Sequence, residues 1–78
     1  MQVSVKYFAS LREIMGEANS VINIEENISV SNLWQSILNE KGVEFENVMI
    51  AVNMEYVKPE HQLKSGDEVA FFPPVTGG

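Results

Sequence analysis

The 78-residue sequence closes on Pro73-Pro74-Val75-Thr76-Gly77-Gly78. The chemistry available there is that of a terminal carboxylate, which is ionised at neutral pH. A carboxylate can attack the α-phosphate of ATP and form an acyl-adenylate. The Gly78 carbonyl would then be electrophilic, open to a sulfur or amine nucleophile, and a glycine carbonyl is the least hindered acyl centre a chain can offer. Pro73 and Pro74 favour a stiff polyproline II segment that holds the tail off the body. Fully extended, the six residues reach about 20 Å at ~3.3 Å each, enough to enter a neighbouring protein's pocket. Gly77 and Gly78 carry no side chains and accept whatever φ/ψ a narrow channel imposes. The competing explanation of the two glycines alone is a frayed terminus or a cloning remnant.

The rest of the chain offers little other chemistry. There is no cysteine, and His61 is the single histidine, in a loop near Pro59. No nucleophile–base pair of the kind that drives covalent catalysis is visible. No disulfide and no metal site are expected, since zinc would need carboxylates at unusual spacing.

Eleven acidic residues against five basic ones give a net charge of -6. That balance repels nucleic acid and anionic membranes and favours a basic protein surface, although solubility alone also accounts for it. No stretch approaches the ~20 apolar residues of a membrane-spanning helix. The Met1–Lys6 segment alternates apolar and polar residues, unlike a signal peptide. The expectation is a cytoplasmic protein with one small domain over residues 1–72 and a tail over 73–78.

The elements that must position the tail can be read from hydrophobic periodicity. Val3, Val5 and Tyr7 alternate with Ser4, Lys6 and Phe8, the pattern of a strand with one buried face. Leu11, Ile14 and Met15 switch to helical spacing and Gly16 supplies a stop. Val21–Ile24 reads as a second strand, antiparallel to the first because the connection is short. Val30, Leu33, Trp34, Ile37 and Leu38 share one face of a helix over residues 30–41. Ser29 suits its N-cap, Ile28 a staple onto Leu33, Lys41 the negative end of the dipole, and Gly42 the left-handed stop. Val48–Val52 is a short strand, Asn53-Met54-Glu55 a turn, and Tyr56-Val57 extended. Leu63-Lys64-Ser65-Gly66-Asp67 is a turn with Gly66 able to take a positive φ. Glu68–Phe72 is the last strand, ended by Pro73 and Pro74. Strand, strand, long helix, strands is an α+β order, with one helix across a small mixed sheet. A crossover through the helix allows the first and last strands to lie parallel.

Alternation also assigns faces. Val69 and Phe71 share one face of the last strand, and Glu68, Ala70 and Phe72 the other. The polar faces of the first and last strands thus each carry one aromatic, Phe8 and Phe72. On neighbouring strands these two rings would form an apolar docking patch at the root of the tail. The alternative is that they wrap a sheet rim and are buried. Tyr56 is a third docking candidate, its orientation set by the preceding turn. Arg12 is either a docking cation or paired with Glu13 or another acid. Trp34 is assigned to the core, Met15, Met49 and Met54 to gap filling, and His61 to solvent.

Phe8-Ala9-Ser10-Leu11-Arg12-Glu13 followed by Gly16 resembles the N-terminal signature of the small subunit of molybdopterin synthase. Ala51-Val52-Asn53 is similar to its central strand, and residues 63–78 resemble its whole C-terminal block. The resemblance implies a β-grasp, ubiquitin-like fold. It implies that an ATP-dependent activating enzyme adenylates Gly78 and that a sulfur donor protein converts it to a thiocarboxylate. It further implies that Pro73, Pro74, Val75, Thr76 and Gly77 insert into the large catalytic subunit of a two-plus-two heterotetramer. There sulfur would pass to cyclic pyranopterin monophosphate. No bound cofactor is implied, only ATP consumed by the partner, and in that role the chain would be a consumable co-substrate whose catalytic groups come from the large subunit. Rival readings remain. One is a β-grasp sulfur carrier for thiamine thiazole formation or tRNA thiolation. Another is a ubiquitin-like modifier joined to lysines, and a third is a passive binding module with incidental glycines.

Overall fold

A computed structural model describes residues 1–45 and 47–74. Val75, Thr76, Gly77 and Gly78, on which the tail expectations fall, lie outside the described residues.

The elements run β1 (Gln2–Tyr7), α1 (Ser10–Met15), β2 (Asn19–Asn23), α2 (Val30–Lys41), β3 (Met49–Val52), β4 (Glu55–Tyr56) and β5 (Glu68–Phe72). They form one five-stranded sheet in the order β2-β1-β5-β3-β4. β1 pairs parallel with β5, Val5 opposite Val69 and Tyr7 opposite Phe71. The β1–β2, β3–β5 and β3–β4 pairs are antiparallel. First and last strands side by side, with a helical crossover between them, is the expected β-grasp arrangement.

The helix α2 is specified at both ends. Ser29 Oγ accepts from the Asn32 N–H at 3.1 Å, a cap that contributes about 1 kcal/mol. Ile28, one residue earlier, packs against the core that holds Leu33, consistent with a staple. At the other end Gly42 takes φ 69° and its N–H donates to the Leu38 carbonyl at 2.9 Å. A left-handed residue is needed there, and glycine has no Cβ to clash. Lys41 Nζ reaches Glu17 Oε2 at 2.6 Å and the Met15 carbonyl at 3.1 Å. It thus ties the end of α2 to the end of α1.

Val30, Leu33, Trp34, Ile37 and Leu38 are buried, as the helical spacing requires. They pack on Val3, Val5, Tyr7, Ile50, Val52, Val69 and Phe71 from the sheet, and Leu11, Met15 and Leu63 close the same core. Trp34 packs against Phe71 at a tilt of 34°, with ring centroids 4.5 Å apart. Gly66 has φ 86° and its N–H donates to the Gln2 carbonyl at 2.8 Å, which anchors the turn before β5 to β1.

Three expectations are corrected. β2 begins at Asn19 rather than Val21, because its backbone pairs with Lys6 even though its side chain is polar and exposed. β3 begins at Met49 rather than Val48. Met54 is no gap filler: it is 92% exposed, since the turn it occupies lies beyond the end of the covered sheet. Among the described residues no helix is long and apolar enough to cross a membrane.

Candidate functional site

The face of the sheet turned away from α2 carries a groove of about 450 Å³. Its shape follows from the register. Ala51 of β3 sits opposite Ala70 of β5, and Ala70 opposite Lys6 of β1. Two methyl side chains on adjacent strands form a low floor. Taller side chains stand around it: Phe8, Phe72, Tyr56, Met54, Lys6 and Glu68.

Phe8 and Phe72 stack at 4.7 Å between centroids with planes 10° apart. Such a pair contributes about 0.5–1.5 kcal/mol beyond its area burial. Both are half-buried, so neither the fully open patch nor the fully buried rim describes them: each ring covers part of the other and leaves the remainder to solvent. The Tyr56 ring lies 6.1 Å from Phe72 and is 69% exposed. Its pairing with Ala51 sets its side of the sheet. Lys6 Nζ and Glu68 Oε2 are 3.5 Å apart at the polar edge of the groove. This exposed pair is worth little energetically, but it leaves that rim locally neutral.

Strained backbone flanks the groove on two sides. Ala9, directly after Phe8, adopts φ 53° and ψ -133°. This kink turns the chain from β1 into α1, while the Phe8 N–H still donates to the Phe71 carbonyl at 3.1 Å. On the other side Asn53 and Met54 take φ 50° and 72°, the two positive values of a type I′ hairpin turn. Asn53 suits such a turn, whereas methionine does not. The turn is braced. The Glu68 N–H donates to Asn53 Oδ1 at 3.0 Å, and Asn53 Nδ2 donates to Asp67 Oδ1 at 3.0 Å. Asp67 Oδ2 accepts from the Lys64 N–H at 2.8 Å. The sequence reading of Gly66-Asp67 as turn geometry is thus correct, and Asp67 also supports the hairpin across the sheet.

The structure brings together Phe8, Phe72 and Tyr56, three of the four docking candidates. Arg12 is exposed on α1, does not line the groove and has no ion-pair partner among the described residues. Pro73 and Pro74 follow Phe72 directly and are half-buried, so the chain leaves the sheet at the aromatic end of the groove. Met54 is the lining residue the sequence reading missed. The signal was present: a large apolar residue in a tight turn where glycine is the ordinary choice.

A second depression, about 350 Å³, lies on the opposite side between β2 and the end of α2, with Tyr7, Glu17, Glu40 and Lys41 in its lining. Burial, together with the Glu17 and Glu40 charges, pushes the Tyr7 hydroxyl up to about 12. It therefore stays neutral at any physiological pH. Among the described residues no group of three or more potential metal ligands gathers.

Residues 5–78 match the model of the ThiS family. The molybdopterin synthase sulfur carrier subunit of Chlamydomonas reinhardtii is 36% identical over 84 residues, an alignment that takes in all of both chains. Among solved structures, a putative molybdopterin converting factor subunit 1 from Pyrococcus furiosus is 35% identical. It covers 96% of this chain and 99% of that one with a TM-score of 0.83. A chain of the complex of subunits 1 and 2 of the molybdopterin-converting factor from Helicobacter pylori is 29% identical, with both chains fully covered and a TM-score of 0.68.

Proposed function

The chain belongs to the ThiS family, and on that premise we propose that it is the sulfur-carrier subunit of a molybdopterin synthase. The observation that carries the reading is the full-length match to relatives of that name, an alignment that runs through Gly78. The position of the tail's root supports it. Phe72 lines an apolar groove, and Pro73-Pro74 follows it directly. A protein that receives the tail must lie beside that groove.

In this proposal the Gly78 carboxylate attacks the α-phosphate of ATP on an activating enzyme and displaces pyrophosphate. A persulfide on a sulfur donor protein then attacks the acyl carbon, AMP leaves, and a thiol reductant cleaves the S–S bond of the resulting acyl disulfide, so that a thiocarboxylate remains. The large subunit accepts Val75, Thr76, Gly77 and Gly78 in a narrow channel. There the thiocarboxylate gives its sulfur to cyclic pyranopterin monophosphate, and hydrolysis returns the carboxylate for another round. The large subunit, in this proposal, supplies the catalytic acids and bases, and the small chain supplies the reacting terminus. Phe8, Phe72 and Tyr56 dock it, and its charge of -6 favours approach to a basic partner surface. Two small and two large subunits complete the assembly. The solved two-subunit complex from Helicobacter pylori supports a large-subunit partner of this kind.

The test is reconstitution with large subunit, activating enzyme, sulfur donor and precursor. Deleting Gly78, or extending the chain beyond it, should abolish molybdopterin formation while leaving the melting curve unchanged, because the hydrophobic core is built from residues of the strands, helices and the Leu63 loop. Activity retained with a C-terminal extension would overturn the reading.

A further inference from the structure

We propose that Met54 is a specificity-determining anchor for the large subunit: a raised apolar knob that the hairpin turn pushes into a socket on that partner. The inference rests on the docking reading above and adds to it a residue that the aromatic pattern alone does not supply.

Three observations carry it. Met54 is 92% exposed, the most exposed large apolar side chain among the described residues. A lone exposed methionine would mean little, but this one stands over the apolar groove that ends at Phe72. It is also held there at a backbone cost. Its φ of 72° lies in the left-handed region that disfavours a side chain, at a turn position where glycine would relieve the strain. The turn does not relax, because Asn53 is fixed from Glu68 and Asp67. Strain maintained by surrounding structure at an exposed position points to a role outside the fold. The occupant is fixed by continuity. The chain leaves β5 beside the groove, so the protein that accepts the tail covers Met54 as well. A flexible thioether suits an imperfectly matched apolar socket.

Stability and docking pull in opposite directions at Met54, and a single substitution separates them. Met54→Gly removes the side chain and the strain together. In a titration of the full chain with purified large subunit of molybdopterin synthase, Met54→Gly should weaken Kd about tenfold. In the free protein the same change should raise the melting temperature by roughly 2–5 °C. Met54→Leu, apolar and of similar volume, should hold Kd within about threefold of the parent. Unchanged affinity in Met54→Gly would overturn the inference, as would an equal loss in Met54→Leu. Phe72→Glu distinguishes the two levels of the argument. If it weakens binding and Met54→Gly does not, only the role of Met54 falls. If neither does, the docking reading itself falls.

Discussion

The two faces of the sheet carry nearly the same side chains to opposite ends. On the face under α2, Tyr7 and Phe71 are buried with Val3, Val5 and Val69, and Trp34 seals them from above. On the other face, one residue along in each strand, Phe8 and Phe72 stack on one another with no helix over them. Adjacent aromatics in Tyr7-Phe8 and Phe71-Phe72 thus serve the two sides of one sheet, because side chains alternate with period two. Strand propensity is equal for both members of each pair. What separates them is the presence of α2 on one side and of a floor of alanines on the other. One face holds the fold together, and the other lies open as the proposed docking surface.

Breaking each face should have opposite consequences. The largest effect is expected from Phe71→Ala, which removes a fully buried ring touching Tyr7 and Trp34. A loss of about 3–5 kcal/mol is a large fraction of the stability of a domain this small, and chemical denaturation should show a chain near or below its folding threshold. Phe72→Ala, one residue on, should cost about 1 kcal/mol while weakening large-subunit binding much more.

The buried face can also be tested by pH. The Tyr7 hydroxyl is raised from its ordinary value to about 12, so the folded state holds its proton where the unfolded chain has lost it. Its contribution is therefore fully present below pH 10 and is lost as pH rises from 10 to 12, by about 2–3 kcal/mol. Comparing Tyr7→Phe with the parent across that window should show the parent losing more stability. Parallel curves would contradict the burial argument.

A smaller effect is expected at the hairpin brace. Asn53→Ala leaves the Glu68 N–H and Asp67 without that partner and should cost about 1–2 kcal/mol by denaturant titration. The smallest is Lys41→Ala. It removes a partly exposed pair with Glu17 and a favourable charge at the end of α2, so about 0.5–1 kcal/mol is expected, reduced further by salt.

Much of this architecture is legible in the sequence because it is written in local signals. The α2 boundaries follow from Ser29, Lys41 and Gly42, and the buried set of β1 and β5 from strict alternation. The stack of Phe8 on Phe72 follows once the two strands are taken as neighbours. What could not be read depends on long-range pairing. Asn19 joins β2 through backbone hydrogen bonds that no hydrophobic pattern announces. Met54 falls in a turn that the sequence marks, but its place on the groove rim follows only once β3 and β5 are paired. Arg12 had two candidate roles of equal weight, and its exposed place on α1, with no ion-pair partner among the described residues, speaks against the pairing with Glu13 or another acid.

The central claim concerns the tail, and the intact mass of the untagged protein tests it most directly. The chain would be incubated with ATP, a sulfur source and a molybdopterin-type activating enzyme. The account predicts a gain equal to replacing one oxygen by sulfur, absent when Gly78 is deleted. No gain, with the chain folded and the enzyme active on a control carrier, would contradict it.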